Sequence, residues 1–401
     1  MRKSLLAMAA LMGISTLPAH AWKVSIDKET YADIGFSTII RGIYEGKRTN
    51  DTHEKSRLNF YVPLFNITAS GHVNKLVYFS MNLEGPINVY DVDSKIQLTP
   101  RVRDSYIGMK FADEFRVQAG LQRVPFSRAA LTSTYVQLFP YTPPFKALAA
   151  SPTNVVGTSS VDVNPRDAGV VVWGNVADGM LKYYLGVTDG ATLDNFNTDS
   201  SLAYTIRLQF TPTMLGFKGE TGYTLADTYL GKQNVLSIGV GYRVVGRNDS
   251  ILSNNEDTKM WTVDMLYEQK FGDIVPNLQV GYINQKDTRG RANEKAKQLY
   301  AQGQLLYDQV VGFGKPALAV RWEQNKNENI FGAPANANDP KVTRLGVWAH
   351  YYIKGQAAKV SLGVDSVSLN SEAKSRTCTF GSVSGNCKNF TDVTLQLQTQ
   401  F

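Results

Sequence analysis

The chain has 401 residues, 43% of them hydrophobic, with 33 Gly, 20 Tyr, 18 Phe and a formal charge of +7. No Pro/Ser-rich linker, charge block or shift in character divides it, which argues against several soluble domains and for one continuous one. The basic excess admits nucleic acid, an anionic membrane or a small anionic solute as partner; export, read from the next feature, excludes nucleic acid.

Residues 1–21 begin with Arg2 and Lys3, continue as an apolar run from Leu5 to Leu17, and end in the small-x-small sequence Ala19-His20-Ala21. This is the pattern of a cleaved secretory signal peptide. A membrane anchor fits less well, because Ser15, Thr16 and Pro18 interrupt a stretch shorter than the ~20 residues a spanning helix needs. Trp22 is the expected mature N-terminus, and residues 22–401 are read as one domain.

Period-two alternation then recurs along the chain. It predicts strands at 32–44, 57–70, 76–84, 101–111, 115–123, 167–175, 181–188, 202–210, 235–245, 258–270, 276–285, 297–308, 315–323, 342–353, 357–369 and 390–401. Short turns such as Lys354-Gly355-Gln356 and Phe271-Gly272-Asp273 alternate with long polar loops such as 325–341 and 370–389, as in bacterial barrels. Segment 211–234 is ambiguous. One extra strand there would invert the parity of everything before it and two would enlarge the barrel, so it is read as a long connection at the short-turn end, giving about sixteen strands.

The expected fold is all-β, a transmembrane antiparallel barrel. Its lipid-facing positions are predicted to include Ile34, Phe36 and Ile40; Leu58, Phe60, Val62 and Leu64; Leu236, Ile238, Val240 and Tyr242; and Leu345, Val347 and Tyr351. Tyr44, Phe115, Phe210, Trp322, Tyr351 and Phe401 are candidates for interfacial aromatic girdles. The last strand ends in Phe401, an aromatic closing a polar/apolar alternation, which resembles the C-terminal assembly signal of bacterial outer-membrane barrels.

Charge falls on the opposite face. Arg41, Arg57, Arg101, Arg103, Lys182, Arg207, Arg243, Arg321, Arg344 and Lys359 share the polar parity with Asp33, Glu84, Asp167, Asp264, Glu268, Glu323, Asp365 and Asp392. A charge on the lipid face costs ~2–4 kcal/mol at mid-bilayer, so these groups are expected in a lumen of mixed sign. The longest loop, 124–166, carries Tyr135, Phe139, Tyr141, Phe145 and three prolines, with Arg123, Arg128, Lys146 and Arg166 in or beside it and Asp162 as its one acid. So apolar a loop is costly in water, and the preferred reading folds this third loop into the lumen to narrow it; an ordered cap or a trimer contact is the alternative.

The strings VQAGLQRVPFSR (117–128), NPRDAGVVVWG (164–174), YYLGVTDG (183–190) and DTYLGKQNVLSIGVGY (227–242) resemble the phosphate-selective porin O and P family. The resemblance implies a sixteen-stranded trimeric porin of the bacterial outer membrane, in contact with its lipid, with an inward third loop and no cofactor. Arg101, Arg103, Arg123, Arg128, Lys146, Arg166, Arg41 and Arg207 are the candidate pore residues, since rings of Arg or Lys make anion pores and guanidinium suits phosphate. The interleaved carboxylates point to weak anion preference or general diffusion rather than strong phosphate capture.

Enzymatic signatures are weak. Gly239-Val240-Gly241 is a strand pattern with no following helix, and His53, His72 and His350 lack metal-ligand spacing. An outer-membrane enzyme, or a barrel serving as scaffold or conduit of a larger complex, are the competing readings. Cys378 and Cys387, the only cysteines, sit in the last long loop, where export favours a local disulfide.

Overall fold

Sixteen segments of the chain form one antiparallel sheet that closes on itself. The computed structural model describes residues 22–50, 55–85, 87–88, 97–98, 100–140, 166–190, 201–246, 257–287, 294–328, 339–375, 377–380 and 383–401. The leader, Lys146, Asp162 and the side chain of Cys378 lie outside what is described.

The strands are β1 (Trp22–Ser25), β2 (Tyr31–Glu45), β3 (Arg57–His72), β4 (Val77–Gly85), β5 (Ile87–Asn88), β6 (Gln97–Leu98), β7 (Arg101–Lys110), β8 (Arg116–Arg123), β9 (Arg166–Val176), β10 (Leu181–Thr188) and β11 (Ala203–Phe210). They continue with β12 (Val235–Val245), β13 (Thr258–Glu268), β14 (Ile274–Asp287), β15 (Glu294–Tyr307), β16 (Lys315–Glu328), β17 (Lys341–Tyr352), β18 (Ala358–Leu369), β19 (Thr377–Phe380), β20 (Val383–Asn386) and β21 (Phe390–Gln400). β5–β6 and β19–β20 are small hairpins in long loops, and β1 adds a short pairing to the start of β2. The other sixteen strands run in chain order around the barrel, and β21 pairs with both β18 and β2 to close it.

Alternation explains why these residues form this wall. On β11, Ala203, Thr205, Arg207 and Gln209 are buried while Tyr204, Ile206, Leu208 and Phe210 face out. Glycines at positive φ, Gly272, Gly312 and Gly355, supply the left-handed backbone of three of the short turns. The expected outward aromatics Tyr44, Phe115, Phe210 and Phe401 are all exposed.

Leu64 corrects the expected lipid face. It points inward and packs with Ile39 and Tyr135. Ile39 pairs with Leu64 but Arg41 pairs with Tyr61, so β3 carries one extra residue at Val62-Pro63. Proline has no N–H for the ladder, and a bulge there flips the faces of all that follows on β3. A second register shift occurs where Asn82 pairs with Asp104 but Leu83 with Val102, leaving Arg103 as the extra residue of β7.

At the closing seam the Phe36 and Phe401 backbones exchange two hydrogen bonds, each 2.9 Å, and their rings lie 5.6 Å apart. Deleting Phe401 should therefore reduce the yield of folded, heat-modifiable barrel while export is retained. Unchanged yield on semi-native gels would show that the seam does not need it.

Candidate functional site

Two segments enter the bore from opposite ends. Residues 124–140, from the loop after β8, include Ser127, whose Oγ accepts from Ala130 N at 3.1 Å and caps the single turn α1 (Arg128–Leu131). From the short-turn end, the connection between β11 and β12 also turns inward rather than remaining a simple link. The two meet in a parallel bridge, Thr132 to Leu225, where Leu225 N donates to Leu131 O at 3.1 Å and Asp227 N to Val136 O at 3.2 Å. Leu131, Tyr223 and Leu225 pack with Val171, Trp173 and Tyr184 of β9 and β10 into one apolar cluster.

Polar groups of the wall hold these inserts. Arg41 Nη2 donates to Pro140 O at 2.8 Å, Gln398 Nε2 to Tyr135 O at 2.7 Å and Lys359 Nζ to Gln137 O at 2.9 Å. Asp227 Oδ2 accepts from Leu138 N at 3.0 Å and from Gln302 Nε2 at 3.1 Å, while Glu268 accepts from Thr228 Oγ1 at 2.7 Å and from Gly231 N at 2.9 Å. Arg321 lies over the Phe139 ring at 4.2 Å. Such bonds satisfy backbone groups that would otherwise be buried without partners.

Two of the predicted pore cations are neutralised, and a third is tied to uncharged groups. Arg128 is 1% exposed; its guanidinium makes a forked pair with Glu220 and donates to Ser237 Oγ at 2.6 Å, and its backbone N donates to Asp264 Oδ2 at 2.9 Å. Burial alone would raise the Glu220 carboxyl, but the Arg128 guanidinium holds it below the usual carboxylate range. Arg207 grips Asp264 through two bonds of 2.7 and 2.6 Å. Arg41 is spent on Gln396 and the insert. Arg128 and Arg207 thus act as joints of the interior rather than as charges facing a solute.

The remaining arginines gather on one wall. Arg101 is the direct cross-strand partner of Glu84, with 3.6 Å between their charged groups, and Arg103 also pairs with Glu84. On the neighbouring strands Arg123 stands opposite Arg166, which reaches Asp104 at 3.2 Å. Among the described residues Arg101, Arg103 and Arg166 thus contact Glu84 and Asp104, while Arg123 Nη1 donates to the insert carbonyls Ala130 O and Thr132 O at 3.0 and 3.1 Å. Inward positions of β4 and β7, including Ser80, Asn82, Arg103 and Asp104, stay partly exposed, whereas Glu84, Arg123 and Arg166 are buried, as are the inward positions of β11 to β18. Sequence reasoning missed Glu220, Asp227 and Asp104. The first two had one signal, acidic residues in a connection of 24 residues at the end where turns are otherwise short.

Removing one partner of a buried pair strands the other charge, at ~3–5 kcal/mol. Glu220→Gln should lower the unfolding free energy from urea titration by that order, and Arg128→Met combined with it should recover most of the loss. A double variant losing the sum of the two singles would show that the pair does not carry the joint.

A family model described as "Phosphate-selective porin O and P" matches residues 40–263, more than half of the chain. A protein of Aquifex aeolicus (strain VF5), described as uncharacterized, is 29% identical over 278 residues, 65% of this chain; the chain spans about 61% of that relative's length. Among solved structures, the anion-selective porin from Comamonas acidovorans is similar at TM-score 0.57 and 13% identity, covering 92% of this chain and 100% of its own. Salmonella typhi OmpF, in complex with daunomycin, gives 0.56 and 15%, with 95% and 100% covered. The outer membrane channel DcaP of Acinetobacter baumannii gives 0.53 and 13%, also with 95% and 100%. With a closed sixteen-stranded barrel, its inward charged face and this match in hand, the chain belongs to the phosphate-selective porin O and P family.

Proposed function

We propose that this outer-membrane channel is a homotrimeric porin, exported by cleavage before Trp22, that passes small hydrophilic solutes by passive diffusion and prefers anions, phosphate among them. The observation that carries the preference is on the β7 wall, where Arg101 and Arg103 stay at least partly exposed and both contact Glu84. Two guanidiniums that contact the same carboxylate leave a positive excess beside the open bore, which a passing anion can approach. This wall also borders the part of the bore where inward side chains stay partly exposed. At ~8 Å and an effective dielectric of ~20, one unit charge acts on another with ~2 kcal/mol before screening, enough to bias which ion enters.

Replacing Arg101 and Arg103 together by Gln should lower the chloride-to-potassium permeability ratio a few-fold, read as a reversal potential in a salt gradient. Arg128, already neutralised by Glu220, should leave the ratio nearly unchanged when exchanged for Met with Glu220→Gln. A cation-selective wild type would overturn the anion preference while leaving the barrel intact.

The last long loop is proposed to be closed by a Cys378–Cys387 disulfide. The backbone pairs Cys378 with Gly385, two residues before the buried Cys387. A non-reduced digest should yield the two cysteines as one cross-linked peptide pair within a single chain, and two free thiols in protein taken from the membrane would reject the bond. In the loop-entropy account such a short closure stabilises by ~2–3 kcal/mol.

A further inference from the structure

The outward faces of β18 and β21 change character toward the long-loop end. Leu362 and Val364, and Leu397 and Val393, are exposed hydrophobics, but the next outward positions are Ser366 and Ser368 on β18 and Thr391 on β21. Ser366 and Thr391 are direct cross-strand partners. A recess opens at this step, lined by these three hydroxyl residues together with Lys47, Lys388 and Asn389. No carboxylate lines it, and neither lysine has an ion pair among the described residues.

The lysines are held at the rim by backbone. Lys388 N donates to Arg48 O at 2.9 Å, and Gly46 N donates to Asp392 Oδ1 at 3.1 Å. Gly46 lies so close to β21 that a Cβ there would clash with the Thr391 carbonyl oxygen, so the segment bearing Lys47 hugs the wall. Two lysines lining one recess with a row of hydroxyls, just beyond an apolar band, occupy the depth at which a bilayer changes from chains to headgroups. We propose that this recess binds a phosphate-bearing lipid of the surrounding leaflet. Its phosphate is held by Lys47 and Lys388 with hydrogen bonds from Ser366, Ser368 and Thr391, and its acyl chains lie along Leu362, Val364, Val393 and Leu397. The continuous apolar strip favours a lipid over free phosphate, which has nothing to place there.

This inference rests on the outer-membrane location of the barrel and is independent of its ion preference, because the test reads lipid and not current. Folded full-length protein in detergent is titrated with a phosphorylated acyl-glucosamine lipid, or with its dephosphorylated form, and bound lipid is counted by native mass spectrometry. At about one tenfold step per 1.4 kcal/mol and ~1 kcal/mol for each lysine at an anionic surface, Lys47→Gln/Lys388→Gln should weaken binding about thirty-fold. The wild type should bind the dephosphorylated lipid about as weakly, and millimolar inorganic phosphate should not displace the phosphorylated one. Equal wild-type affinity for the two lipids would overturn the proposal without any variant having to fold. Unchanged affinity in a heat-modifiable double variant, displacement by inorganic phosphate, or occupation of the recess by a second copy of the chain would overturn it as well.

Discussion

Hydrocarbon offers backbone amides no partner, and this constraint decides most of the molecule. A strand sheet that spans it must close, so β2 pairs with β3 on one side and β21 on the other. Closure then sorts the side chains, apolar toward lipid and polar toward the bore. That second sorting creates its own difficulty, because a ring of inward Arg, Lys, Asp, Glu and Gln side chains must find partners as well.

The inserts resolve that difficulty. Their backbone supplies acceptors for Arg41, Lys359 and Gln398, and their donors meet Asp227 and Glu268. Where the bore is filled in this way, charge is consumed in joints such as Arg128 with Glu220 and Arg207 with Asp264. Where it is not, on β7, Arg101 and Arg103 stay at least partly exposed and both contact Glu84. Buried and partly exposed arginines are the same residue type on the same inward face: Arg41 and Arg123, bonded to insert carbonyls, are buried, while Arg101 and Arg103 are not.

That distinction explains what could be read from the sequence. Strand positions and faces were legible because lipid imposes an uninterrupted period of two, as on β11. Leu64 was misplaced because a one-residue bulge at Pro63 inverts the period without changing composition. The inward parity of Arg128 and Arg207 says nothing about partners, and the partner of Arg128, Glu220, sits 92 residues away in a segment with no periodicity. The inward course of residues 217–231 depends on contacts with residues 124–140, a long-range match that local pattern does not encode.

Arg41 on β2 and Gln396 on β21 are cross-strand neighbours, bonded side chain to side chain at 2.7 Å across the seam where first and last barrel strands meet. Arg41 also holds Pro140, and Gln398, two residues along β21, holds Tyr135. One stretch of the insert therefore reaches both lips of the seam and works as an internal clasp. Joining the two ends of the sheet and fastening the contents of the bore become a single cooperative event, so that a weakened insert loosens the wall itself and a frayed wall releases the insert.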